Sequence, residues 1–267
     1  MVNVVFWVYL LLFLLFPHIV ETEPAENFVN LDSLQGDWLN KKYIETLQLT
    51  KSPCKAVEGI YYTAFTISKE VDSYKFLQLY NFHEGVKFNI IELLPSSEPN
   101  SYQIIYERIY VRQVIDPDTF INSFVIKTGK YAKEIEWIFI PEYGISEAIE
   151  LHLPFLHAKP NIDEYVNRIV LAGNYTDEQG QTFVFSKSGE AKWPDKSFRY
   201  KVGLDSYWTR NQFDYFVVIG EKVENRYPKI IAFEWRNNKL LIFKTIVKMD
   251  GEIIVREKES LYVLTPR

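Results

Sequence analysis

Along most of this chain, runs of about five to ten residues rich in apolar, β-branched and aromatic side chains are broken by turn-forming residues. Six such runs come early: Ile60 to Ile67, Tyr74 to Tyr80, Val86 to Leu94, Ser101 to Val111, Ile121 to Lys127 and Glu134 to Ile140. Their density in Ile, Val, Tyr, Phe and Thr suits a pleated, half-buried surface, so each is predicted as a strand. His83-Glu84-Gly85, Asp116-Pro117-Asp118 and Thr128-Gly129-Lys130 supply the turns between them, and Gly85 suits the left-handed position of a bulged hairpin.

Two stretches follow a helical period instead. Beyond a short capped turn over Phe28 to Leu34, the residues Leu39, Tyr43, Ile44 and Leu47 recur at spacings of three and four and stop before Pro53, which predicts a helix near 39–49. Ile162, Tyr165, Val166 and Ile169 do the same, with Asp163 and Glu164 at the end where the helix dipole favours negative charge, which predicts a helix near 161–170. Between the two, Pro141, Pro154 and Pro160 gather around His152 and His157, and this interruption predicts a crossover or boundary. It divides the chain into a β-rich half over 28–160 and another over 161–267.

In the second half the hairpin grammar is clearer. Thr182 to Phe185, Phe198 to Val202, Tyr215 to Ile219, Ile230 to Trp235, Leu240 to Val247, Ile253 to Val255 and Leu261 to Leu264 read as strands. Turns fall at Asp177 to Gly180, Lys187-Ser188-Gly189, Asn237-Asn238 and Asp250-Gly251, and the asparagine pair tolerates the positive φ of a two-residue hairpin. Many strands joined by short turns pair sequentially. The predicted fold is therefore all-β, an antiparallel up-and-down meander closing into one large or two tandem barrels, since closure removes the edges that invite aggregation.

Composition changes this picture in three places. Val4 to Phe16 is an almost unbroken apolar run, shorter than the about 20 residues a membrane span needs, and reads as the core of a signal peptide over 1–22. No Lys or Arg precedes it and no small-x-small cleavage pattern follows, so an uncleaved anchor is the alternative. The expectation is a secreted or periplasmic protein with no integral span in the mature chain. One cysteine, Cys54, allows no internal disulfide, so an ordinary core must supply the stability. Lys and Arg number 30 against 35 Asp and Glu, interspersed and without a basic stripe, which argues against nucleic acid as a partner.

A short approach ending in leucine runs twice into Gly-x-aromatic: Leu34-Gln35-Gly36-Asp37-Trp38 and Leu171-Ala172-Gly173-Asn174-Tyr175. The first, near the start of an exported antiparallel chain, resembles the opening signature of the lipocalin and wider calycin group, and the second is similar in kind. The resemblance implies calycin-like up-and-down barrels opened by Gly36 and Trp38 and by Gly173 and Tyr175, a tryptophan plugging the closed end, and a mouth that takes up a small apolar ligand. It covers the two openings and the general strand pattern. Trp38 runs toward a helix-spaced segment where that group has a long first strand, and the group's other signatures have no counterpart here.

Residues with chemical potential are few. His83 beside Glu84 sits in a polar hairpin tip. His152 and His157 lie five apart near Glu150, Asp163 and Glu164, without the spacing that marks a metal site. Lys51 and Lys55 make the surroundings of Cys54 electropositive, but no cysteine-hydrolase signature surrounds it. Neither a nucleophile elbow nor a phosphate-cradling glycine loop occurs, so no catalytic residue, metal or cofactor is assigned. Asn174-Tyr175-Thr176 matches a glycosylation acceptor. Aromatics make up 16% of the chain, a density that suits the wall of an enclosed cavity. Trp137, Trp193, Trp208, Trp235, Tyr80 and Phe88 are the candidate ligand-binding residues. The reading is an exported, non-enzymatic β-barrel protein binding a small apolar or amphipathic ligand. One alternative is a cell-envelope interaction or structural protein working through its outer surface, and the other is a hydrolase using the His152/His157 region.

Overall fold

The computed structural model describes residues 31–60, 63–70, 73–79, 85–95, 101–108, 122–128, 134–139, 151–204, 213–223, 227–247 and 254–267. The expected leader over 1–22, His83 and Glu84 lie outside them.

Eight antiparallel strands in chain order close into a first barrel: β1 Gly36–Asn40, β2 Ala64–Glu70, β3 Ser73–Leu79, β4 Gly85–Pro95, β5 Ser101–Arg108, β6 Asn122–Thr128, β7 Glu134–Phe139 and β8 Leu151–His157. β8 returns to β1, with His157 opposite Trp38 and Phe155 opposite Asn40. A second closed barrel follows from β9 Gly173–Thr176, β10 Thr182–Phe185, β11 Glu190–Lys192, β12 Ser197–Val202, β13 Asp214–Val223, β14 Tyr227–Arg236 and β15 Lys239–Phe243. After an excursion through a small hairpin, β16 Thr245–Val247 and β17 Ile254–Arg256, the chain closes that barrel with β18 Tyr262–Pro266, which pairs with both β15 and β9. The meander is thus two barrels in tandem.

The first strand is short because Asn40 ends it. Its side chain accepts the backbone N–H of Lys42 and caps the helix α1, Lys41–Thr50. The helix begins two residues later than its periodicity suggests, and Leu39 belongs to the strand. A four-residue helix, α2 Pro53–Ala56, follows with Ser52 as its cap and Pro53 in its first turn. Asn161 caps the third helix, α3 Ile162–Val170, which spans the predicted segment.

Two expectations are corrected. Pro154 and the two histidines do not sit in a crossover but within β8. The proline is tolerated because β1 pairs with β8 only from Phe155 to His157, so at Pro154 no ladder donor is required on that side. The single strand expected over Leu240 to Val247 is two, β15 and β16, since Lys244 breaks the run and sends the chain into the excursion. By contrast, Asn237 and Asn238 have φ of 51° and 59° and form the two-residue hairpin between β14 and β15.

Residues directly opposite in antiparallel strands share a face. Leu39, Ala64, Leu156 and Ala158 form the outer wall of the first barrel and pack in one continuous core with α1, α3 and the interior of the second barrel. Trp38, Phe65, Ile67 and Phe155 are then the inner face, each at most 1% exposed. The second barrel is filled by its own rings: Phe183, Phe185, Tyr200, Phe216 and Phe233 are all buried, with Phe185 5.3 Å from Tyr200 and 5.9 Å from Phe216. Helices α1 and α3 cover the end of that barrel where the β12–β13 and β14–β15 connections lie. The hydroxyl of Tyr43 donates to the Leu204 carbonyl at 2.9 Å, and the Asn167 carboxamide oxygen accepts the Val202 N–H at 3.1 Å.

Candidate functional site

Each residue of Gly36-Asp37-Trp38 has its own task. The Trp38 indole N–H donates to the carbonyl of Leu34, four residues earlier, at 3.0 Å. Leu34 ends a 3-10 turn, Leu31–Leu34, which Asp32 ties across to β2 and β3 by accepting from Tyr74 at 2.6 Å and from Lys69 at 3.4 Å. Trp38 therefore closes this end of the first barrel, stacked 5.9 Å from Phe65, with Phe155 edge-on to Phe65 at 4.8 Å. Burying about 200 Å² of such a ring contributes on the order of 5 kcal/mol at about 25 cal/mol per Å². Asp37 points outward, where one carboxylate oxygen accepts the Thr66 hydroxyl at 2.7 Å and the other the first amide of α3, Ile162, at 3.1 Å. At Gly36, with φ of 125°, a Cβ would run into the ring of His157.

The second opening repeats the first with a different group. The Tyr175 hydroxyl donates at 2.7 Å to the carbonyl of Leu171, again four residues earlier. It passes over Gly173, where an added Cβ would meet the hydroxyl at 3.1 Å. Burial pushes the Tyr175 phenol up to about 12, so it remains a donor throughout the physiological range.

The helix-covered end of the second barrel holds a cavity of about 300 Å³ between the segment Thr50 to Glu58 and the strands β13, β14 and β17. Asp214 opens β13 opposite Phe233, so its carboxyl lies on the inner face of the barrel. It accepts the Cys54 N–H at 2.9 Å, together with the Ser52 hydroxyl and the Cys54 thiol. Burial pushes the Asp214 carboxyl above its usual range, against those hydrogen bonds and the nearby Lys55 cation. Phe233 and Trp235 form the apolar floor, and Phe213 adds to it. The Trp235 indole is held by a 3.0 Å bond to the Val170 carbonyl, with the Lys51 ammonium 3.9 Å from its ring centroid.

The cavity lining is also charged. One Glu234 oxygen accepts from Arg236 at 2.8 and 3.1 Å, and the other accepts from Arg256 at 2.9 Å. Burial alone would raise the Glu234 carboxyl, but the two arginines outweigh it and hold it below its usual range. The Arg256 guanidinium lies 4.5 Å over the ring of Phe243. Among the described residues no histidine lines the cavity beside Cys54.

The predicted site residues do not converge on one place. Trp235 lines the cavity. Trp193 lies at the opposite end of the same barrel, packed against Phe183, Phe198 and Tyr262 at 5.1 to 5.6 Å, which makes it a core residue. Phe88 and Trp137 belong to β4 and β7 of the first barrel, and their side chains, like Tyr80 and Trp208, lie outside the described residues. His152 and His157 both belong to β8, and the side chain of His152 lies outside the described residues. His157 stacks on Trp38. Ser52, Asp214, Glu234 and Arg256 were not singled out from sequence. Ser52-Pro53 carries a helix-start signal, but nothing local marks Asp214 or Arg256.

Among the described residues no helix is long and apolar enough to cross a membrane, which leaves strand-built spans unaddressed. Comparison with protein-family models, curated proteins and solved structures finds no match to this chain.

Proposed function

We propose that this chain is an exported, calycin-like binding protein that takes up a small amphipathic ligand at the mouth of its second barrel. The observation that carries this reading is the cavity of about 300 Å³, lined by the rings of Phe233 and Trp235 and by the polar groups of Ser52, Asp214 and Arg256. Small-molecule sites combine apolar surface with placed polar groups; here Phe213, Phe233 and Trp235 give an apolar patch in a lining that is otherwise polar or charged, and the volume lies at the lower end of the usual range. The calycin likeness is supported by the closed eight-stranded meander and by Trp38 sealing one end beneath a 3-10 turn.

The single cysteine makes the site testable, since Cys54 lines the cavity and any thiol reagent reports on that place alone. A lipid and hydrophobe library is screened for a rise in melting temperature, which a ligand of the native state produces by mass action. Stabilising compounds are then tested for slowing the alkylation of Cys54 by a maleimide. Protection that tracks stabilisation is the expected result. Stabilisers that leave Cys54 fully reactive would put the ligand elsewhere and overturn the reading.

A further inference from the structure

Resting on that site, we infer that the ligand is a small monocarboxylate whose carboxylate is received by Arg256 and whose apolar body lies on Phe233 and Trp235. The β16–β17 hairpin is not part of the barrel wall. It packs Ile254, 3% exposed, against the outer face formed by Phe213, Tyr215, Ile230, Ala232 and Phe243, and it ends in Arg256 at the cavity. Glu234 and the Phe243 ring hold the guanidinium from two directions and fix its plane. A guanidinium carries five N–H donors, and here one of them binds Glu234. Among the described residues the others have no protein acceptor, so a planar fork of donors is left at a half-buried cavity wall. A carboxylate matches that fork with two parallel bonds. Asp214, Glu58 and Glu234 line the cavity beside Lys55, and these carboxylates repel a doubly charged phosphate about twice as strongly as a singly charged carboxylate. Phe233 and Trp235 then offer the apolar body a ring-lined floor.

The test compares three probes of one shape on the full chain: 3-phenylpropanoate, 3-phenylpropanol and 3-phenylpropylamine, each measured by calorimetry and by protection of Cys54. The acid is expected to bind about tenfold tighter than the alcohol, the scale of a charge-assisted bond, with the amine weakest. Arg256→Gln should erase that preference, bringing the acid's affinity down to that of the alcohol. Arg256→Lys, which keeps the charge but not the fork, should restore only part of it. Should the glutamine variant not fold, the three-probe comparison on the unaltered chain decides alone. If the alcohol or amine protects Cys54 as well as the acid does, the carboxylate assignment falls and the site stands. If none of the three protects it, both fall.

Discussion

The imidazole of His157 lies nearly parallel to the indole of Trp38, their centroids 4.5 Å apart and their planes 14° from each other. The last strand of the first barrel is thereby pinned to the first at the point where the barrel must close, and the same ring occupies the space a side chain at position 36 would need. Gly36, Trp38 and His157 form one packing unit.

Gly36→Ala should destabilise the protein by about 2–3 kcal/mol, because the new methyl meets His157 and the backbone is left at a positive φ. Chemical denaturation measures the loss. Pairing it with His157→Ala in a double-mutant cycle should show strong coupling, since both changes act on one contact. Independent, additive losses would mean that the two residues do not share this space.

The two openings should respond alike to loss of their donors. Tyr175→Phe keeps the ring and leaves the buried Leu171 carbonyl unpaired, a cost of about 1–2 kcal/mol. Trp38→Phe loses the bond to Leu34 and ring volume as well, so its cost should be larger, about 2–4 kcal/mol. Equal melting temperatures for Tyr175→Phe and the parent would show that this bond carries no net stability.

Acid should weaken the closure at His157. Burial first, then the Lys159 cation, lowers its pKa below the ordinary 6.5, against Asp37 and a bond to the Gln35 carbonyl. The folded state thus binds its proton less readily than the unfolded chain. Its contribution is fully present above pH 6.5 and is lost as pH falls through the lower folded value. His157→Phe retains a stacking ring without the titration and should flatten that part of a stability-against-pH curve.

Asp214 should act with the opposite sign. Burial raises its carboxyl above the ordinary 3.8, so the folded state holds the proton more tightly and stability falls as pH rises from 3.8 through the folded value. Asp214→Asn should remove that slope and change the rate of Cys54 alkylation, because the thiol loses its carboxyl neighbour. An unchanged slope would show that Asp214 titrates as an ordinary surface acid.

At the β14–β15 hairpin, Asn238→Ala should cost about 1 kcal/mol and Asn238→Gly close to nothing, because position 238 holds a left-handed conformation. Urea midpoints distinguish the two.

The strand runs, both longer helices and the asparagine hairpin were legible in the residues, because the period of apolar positions and the chemistry of turns act over a few neighbours. The Leu-x-Gly-x-aromatic repeat was legible too, and its meaning is the same in both copies: an aromatic donor returns to the leucine carbonyl. β8 was hidden because prolines read as breakers until the partner strand is known to have ended. The candidate site was mostly hidden. Of its lining, Trp235 was singled out as a ligand residue and Cys54 was weighed and set aside.

By itself, then, the order of residues determined an antiparallel meander and where its turns fall, through propensities local to each segment. Only the tertiary structure decided that the meander closes twice, that His157 returns to Trp38, and that Cys54 meets Asp214 across 160 residues of chain. Those contacts depend on register and on which outer faces pack together, which are set by burial of the whole core and leave no trace in the few residues on either side.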